Sequence, residues 1–136
     1  MTAKQYLMRA WHIDRRIDRL IEERDRLEST LTRGVGQLTG LPRGGGHDWT
    51  DTAIKVADLT KDIDAEIRAL CEIKREVSEA IDQVEDKRAR EVLTLRYRNY
   101  MAWPRIAEEL GYDVRHVFRL HGEGLARVKH VIECHY

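Results

Sequence analysis

Apolar residues recur at alternating spacings of three and four along two long stretches of this chain. The first stretch begins after Thr2 and Gln5, whose spacing is the capping-box signature of a helix start. Its apolar positions are Ala3, Tyr6, Ala10, Ile13, Ile17, Leu20, Leu27 and Leu31. A stripe as narrow as this is typical of coiled-coil packing, whereas a helix on a globular core has a broader apolar face. The pattern therefore predicts a long first helix that ends near Leu31.

A second stretch carries the same alternation from Ala53 to Val84, with two interruptions by polar residues. Between the stretches, residues 32–49 contain six of the nine glycines in the chain and are predicted to form a loop. This segment lacks both the Gly-Lys-Ser/Thr ending and the preceding strand of a phosphate-binding loop. We therefore predict that residues 1–84 form a long antiparallel helical hairpin, similar to a coiled coil, with a glycine-rich loop at its tip.

The apolar pattern changes phase near residue 85, and residues 85–136 predict three shorter helices. Asp86 can cap the first of them, although the local residues all favour helix and leave open whether the long second helix breaks here. Gly111 follows Leu110 and supplies the left-handed residue at which the next helix ends. Asp113 is then placed to cap the last helix. This order of elements is that of a helix-turn-helix.

The last predicted helix has one apolar and one polar face. Val114, Val117 and Leu120 recur at spacing three and are expected to face inward. The same spacing leaves three polar side chains pointing outward from the first two turns: Arg115, His116 and Arg119. A recognition helix presents such side chains to a groove of DNA.

Several runs in this region resemble a known family. The runs VLTLRY and IAEELGY, followed by a capping position, a valine and a later leucine, resemble region four of sigma-70 class factors, which reads the −35 promoter element. Over nearly all 136 residues the chain also resembles a family of small prophage regulators similar to that region, through GLPRGGG, IDQVEDKRAR and RLHGEGL. The resemblance implies an all-α protein whose C-terminal helix-turn-helix binds double-stranded DNA.

Position by position, the resemblance assigns base contacts to Arg115 and Arg119, with Val114 at a third such position. Arginine suits this role because its planar fork can span the O6 and N7 acceptors of guanine. The alternative interpretation is that both arginines are ordinary solvated helix residues. The chain departs from the sigma pattern at Val114 and Phe118, where sigma factors commonly have arginine. Contacts to phosphates, which fix the docking register without reading sequence, are predicted for four side chains: Arg96, Arg98, Arg105 and His116.

Charge and composition limit the classes of function that are expected for this chain. The 24 basic and 24 acidic residues balance, but residues 89–136 hold 8 Lys and Arg against 6 Asp and Glu. Because affinity for DNA depends mainly on phosphate neutralisation, one copy alone is expected to bind DNA weakly. No apolar run is long enough for a membrane span and no signal peptide is evident, so a cytoplasmic protein without a membrane partner is expected.

No catalytic or metal-binding motif emerges from the sequence. Cys71 and Cys134 have no paired spacing, so reduced thiols and no disulfide are expected. His130, Cys134 and His135 invite a metal interpretation, but ligands on a helix end without a second pair are more often incidental. We therefore expect neither an enzyme nor a bound cofactor.

Three functions remain open on the sequence alone. The first is a phage transcription regulator, in which the hairpin oligomerises or docks on host RNA polymerase while the helix-turn-helix reads promoter DNA. The second is an adaptor that binds polymerase or a sigma factor without binding DNA. The third is a DNA-packaging protein similar to a small terminase subunit. In such proteins the DNA-binding helix-turn-helix usually precedes the oligomerisation helices, which is the opposite of the order here. Apolar residues outside the stripe predict a homodimer: Leu7, Trp11, Ile21, Ile54, Leu59 and Ile73.

Overall fold

The computed structural model describes residues 1–37 and 49–135, and every regular element in this part of the chain is helical. The helices there are α1 (Ala3–Gln37), α2 (Trp49–Asp82), α3 (Lys87–Leu93), α4 (Trp103–Leu110) and α5 (Val114–His135). A π-helical turn, Thr94–Arg98, follows α3 directly. The all-α fold class that the sequence predicts is therefore confirmed.

Both ends of α1 can be compared with the prediction. At its start, the Gln5 amide donates to Thr2 Oγ1 at 3.1 Å and the Thr2 amide donates to Gln5 Oε1 at 2.7 Å, as a capping box requires. At its other end, α1 continues to Gln37 and so passes the predicted start of the loop at residue 32. Extending an existing helix gains one hydrogen bond per residue, which offsets the helix penalty of glycine. Residues 38–48 of the predicted loop lie outside the described residues.

The long second helix breaks before the C-terminal helices begin, which answers the question that local propensity leaves open. The α2 helix ends at Asp82, and α3 begins at Lys87. Asp86 caps α3 as predicted, because its Oδ1 accepts from the amides of Arg88 at 2.9 Å and Ala89 at 3.3 Å. The segment between α2 and α3 is also stabilised by Arg90 of α3, which donates to the Val84 carbonyl at 3.0 Å.

The chain forms two compact units, and α1 and α2 contribute residues to both. We call Met1–His12 with Leu70–Tyr136 the reader unit, and Ile13–Ala69 the middle unit. This grouping differs from the predicted division between residues 84 and 85. The physical reason lies in the reader unit, where the long helices supply part of the hydrophobic core. One buried cluster contains Ala3, Leu7, Val77, Ala80, Ile81, Val84, Ala89, Val92, Leu93, Tyr97, Ile106, Ala107, Val117, Leu120 and Val128.

The middle unit pairs α1 with α2. Among the residues of this unit that the structure describes, the buried apolar ones are Ile17 and Ile63. Arg16 Nη1 lies 3.1 Å from Glu66 Oε1 across the two helices. These contacts fit the predicted helical pairing. Ile54 and Ile67, two apolar residues of α2 in this unit, are exposed at 54% and 42%.

Candidate nucleic-acid interface

The turn between α4 and α5 fits the predicted helix-turn-helix. Gly111 ends α4 with φ at 71°, a left-handed conformation that glycine adopts without steric cost. The next amide, that of Tyr112, donates to the Ala107 carbonyl at 2.9 Å, which closes the turn in the manner of a Schellman motif. The last helix begins at Val114, directly after Asp113, whose carbonyl accepts from the Val117 amide at 3.1 Å.

The orientation of α5 is fixed by its packing on α3. Val117, Leu120 and Val128 are fully buried, so one face of α5 belongs to the core. Gly124 lies on this face, and a Cβ atom added there would lie 2.8 Å from Leu93 Cδ1. The two helices therefore approach so closely that a side chain at residue 124 would have to displace Leu93.

The opposite face of α5, which we call the outer face, carries Arg115, Phe118, Arg119 and Gly122. All four residues are exposed, whereas Val114 is half-buried and packs against the core. The structure thus places Arg115 and Arg119 where the sequence predicts, on the surface that faces away from α3. It does not place Val114 with them, because the first turn of α5 directs that side chain towards the core.

Arg119 is oriented by two neighbours on its own helix. Its Nη2 donates to His116 Nδ1 at 2.9 Å, and its Nε lies 3.9 Å from Glu123 Oε1. The His116 ring meets the edge of Tyr112 with ring centroids 4.8 Å apart. An exposed ion pair at such a distance contributes little, so Arg119 can exchange Glu123 for another anion. Arg115 has no ion pair or hydrogen-bonded side-chain partner in the part of the chain that the structure describes.

Arg96 has a structural role that the sequence does not predict. Its Nη1 donates to the Met101 carbonyl at 2.9 Å, and its guanidinium lies 4.6 Å from the centre of the Trp103 ring. The side chain therefore braces the connection between the π-helical turn and α4. Arg96 is half-buried and already engaged in these contacts, and its predicted phosphate contact stays a prediction.

Two other residues that are predicted to contact phosphates, Arg98 and Arg105, are more exposed than Arg96. Arg105 is exposed on the first turn of α4, and Arg98 is exposed at the end of the π-helical turn. Neither forms an ion pair among the described residues. Arg98 also borders a cavity of about 270 Å³ in the reader unit, together with Lys74, Ser78 and Asn99. Both arginines are thus available to an external anion, while His116 contacts Arg119.

A polar pair, buried at Tyr97 and half-buried at His121, joins the π-helical turn to α5. The Tyr97 hydroxyl lies 2.6 Å from His121 Nε2, and the Trp103 ring meets His121 with centroids 4.6 Å apart. Burial raises the pKa of Tyr97 to about 12, against the opposing charge of Arg96. Burial, together with the charges of Lys4 and Arg96, lowers the pKa of His121 to about 4. Near neutral pH the protonated phenol therefore donates to a neutral imidazole.

Sequence reasoning misses this pair because periodicity describes one element at a time. Tyr97 lies on the π-helical turn and His121 on α5, 24 positions apart. The only available signal is that His121 directly follows Leu120 and so lies beside the predicted inner face. Nothing in the sequence indicates that Tyr97, Trp103 and His121 meet.

Two candidate metal ligands, His130 and Cys134, lie close together near the end of α5. His130 Nε2 and Cys134 Sγ are 3.8 Å apart on α5. Among the described residues, no group of three or more histidine, cysteine or acidic side chains is arranged to hold a metal ion.

Of the helices in residues 1–37 and 49–135, none is long and apolar enough to span a membrane.

The chain is similar to a bacterial sigma factor. It is 32% identical over 107 residues to the RNA polymerase sigma factor SigF from two strains of Mycobacterium tuberculosis. The match covers 79% of this chain but 40% of the relative, so the chain spans about two fifths of the length of the curated proteins that it matches. No family model and no solved structure matches it. The comparison thus shows a distant similarity to a sigma factor over part of that protein's length.

Proposed function

We propose that this chain is a phage transcription regulator whose helix-turn-helix reads promoter DNA with the outer face of α5. The observation that carries the proposal is the division of α5 into two faces. Val117 and Leu120 are fully buried, whereas Arg115 and Arg119 point away from the core on adjacent turns. A helix held in this way can enter the major groove without disturbing the fold that supports it.

The charges on the reader unit support DNA as the partner. The guanidinium of Arg115 on the outer face can donate two hydrogen bonds to guanine. Arg119 can make the same contact once it leaves its weak ion pair with Glu123. Arg98 and Arg105 are exposed cations on neighbouring elements and fit contacts to phosphates. Similarity to a sigma factor supports the same partner and suggests host RNA polymerase as a second one.

We further propose that the protein acts as a homodimer. A few phosphate contacts per copy give modest affinity, and two copies on adjacent half-sites would double that number. Exposed apolar side chains of the middle unit fit a self-association surface: Trp49 at 46%, Ile54 at 54% and Ile67 at 42%. Leu7, which the sequence also assigns to such a surface, is instead fully buried in the core of the reader unit.

The test is a selection of bound duplexes from random DNA by the full chain, with and without bacterial RNA polymerase. The proposal expects a recurrent sequence in which Arg115→Ala relaxes the preference at one or two base pairs, and a complex that contains two copies by sedimentation. A ring of eight or more copies would instead favour a packaging protein. Failure to enrich any sequence in either arm would contradict the proposal.

An adaptor that binds polymerase without DNA is the second candidate. It is favoured by exposed carboxylates on the reader unit, since Glu108 and Glu109 lie on α4 and Glu123 lies beside Arg119. Such charges repel phosphates and weaken the electrostatic term on which DNA affinity depends. Binding to polymerase that persists after Arg115→Ala, with no DNA selected, would support the adaptor.

A further inference from the structure

The outer face of α5 contains an exposed aromatic ring between its two arginines. Phe118 is the only phenylalanine of the chain, and 48% of its surface is exposed. Phe118 and Arg119 follow Arg115 by three and four residues, and these spacings place both side chains on the same face of the helix as Arg115. Whatever the two arginines contact, Phe118 meets the same surface.

The ring is held in place rather than free to move. Trp103 meets Phe118 edge to face, with ring centroids 5.2 Å apart and planes at 65°. Trp103 is in turn fixed by Arg96 above its ring and by His121 at its edge, each 4.6 Å away. A side chain positioned in this way loses little conformational entropy when it binds a partner.

The space next to Phe118 is open. Gly122 lies one helical turn further along the outer face, and a Cβ atom added there would meet nothing within 4 Å. Because residues four apart are neighbours on a helix surface, the missing side chain leaves one flank of the ring uncovered. The outer face therefore presents two cationic forks and an accessible apolar ring beside a gap.

We propose that Phe118 reads thymine, by packing against its C5-methyl group in the major groove. This inference rests on the proposed function, because it takes duplex DNA as the partner of the outer face. The C5-methyl group of thymine is the apolar feature that distinguishes an A·T pair in that groove, and phenylalanine is suited to contact it. The preferred site then contains a thymine within one or two base pairs of the guanine that Arg115 or Arg119 contacts.

The experiment removes the methyl group and changes nothing else. The full chain is titrated with its selected duplex, and with duplexes in which deoxyuridine replaces one thymine at a time. We expect one or two of these replacements to weaken binding about fourfold, which corresponds to about 0.8 kcal/mol for one buried carbon. Phe118→Ala should bind the thymine and deoxyuridine duplexes equally, and Phe118→Leu should keep part of the difference.

The matched control is Arg105→Ala, which should weaken binding to both duplexes and keep the fourfold ratio. Circular dichroism of each variant establishes that the fold is retained. If the full chain binds its site but no deoxyuridine replacement matters, or if Phe118→Ala keeps the ratio, the inference is overturned while the proposed function stands. If the chain selects no DNA at all, both are overturned.

Discussion

Gly124 of α5 packs directly against Leu93 of α3, with 2.8 Å between a Cβ atom added at the glycine and Leu93 Cδ1. Leu93 is fully buried, so it cannot move aside without disturbing its neighbours. We therefore expect Gly124→Ala to destabilise the protein, because overpacking costs about 1–3 kcal/mol and helix propensity returns at most about 1 kcal/mol.

The matched control for this substitution is Gly122→Ala on the same helix. Residue 122 is exposed and has open space around it, so this change should stabilise the protein by up to about 1 kcal/mol. Urea unfolding of both variants measures the difference. Equal stabilisation by the two substitutions would mean that α3 and α5 are not in close contact.

Two classes of arginine are expected to differ in DNA binding. Replacing Arg115 or Arg119 with alanine should cost about 1–3 kcal/mol on the preferred site and relax preference at one or two base pairs. Replacing Arg98 or Arg105 should weaken binding to all sequences alike and reduce the salt slope by about one unit. Titrations at several salt concentrations separate the classes. If both outer-face variants bind DNA unchanged, a polymerase adaptor is favoured over a regulator that reads DNA.

Arg96 should behave unlike the other arginines. Because it holds the Met101 carbonyl and the Trp103 ring, Arg96→Ala is expected to lower the melting temperature, whereas Arg105→Ala should leave it unchanged. Thermal unfolding followed by circular dichroism measures both. A normal melting temperature for Arg96→Ala would mean that this side chain does not stabilise the connection to α4.

Stability should fall in acid through His121. Its pKa is about 4 in the folded protein and about 6.5 in an unfolded chain, so the unfolded state binds more protons between these values. The contribution of neutral His121 is therefore present above pH 6.5 and is lost as the pH falls towards 4. His121→Gln cannot titrate, and the difference in unfolding free energy between it and the wild type should shrink over this window. A difference that does not vary with pH would contradict the assignment.

The C-terminal helices are not expected to fold well alone. A fragment of residues 85–136 lacks Leu7, Val77 and Ile81, which belong to the core cluster of the reader unit. A fragment of residues 70–136 restores the latter two and should be more helical and more stable. Circular dichroism compares the fragments, and equal stability would show that the long helices add nothing to this core.

Local patterns were sufficient to predict the helices and several of their ends, although α1 continues to Gln37, past its predicted end. The capping box at Thr2, the cap at Asp86 and the left-handed Gly111 each act within a few residues, so the sequence alone predicts them. The same holds for the two faces of α5, because a helix converts spacing directly into direction. These local features also lead to the outer face and its arginines.

Only the tertiary structure decided which distant residues share a core. Leu7 and Val77 belong to helices that the spacing assigns to a separate hairpin, yet both are buried in the cluster that contains Val92 and Leu120. The roles of Arg96 and Gly124 were decided in the same way, because each depends on a contact with another element. Periodicity determines the direction in which a side chain points on its own helix, whereas the surface that it meets depends on how the helices pack.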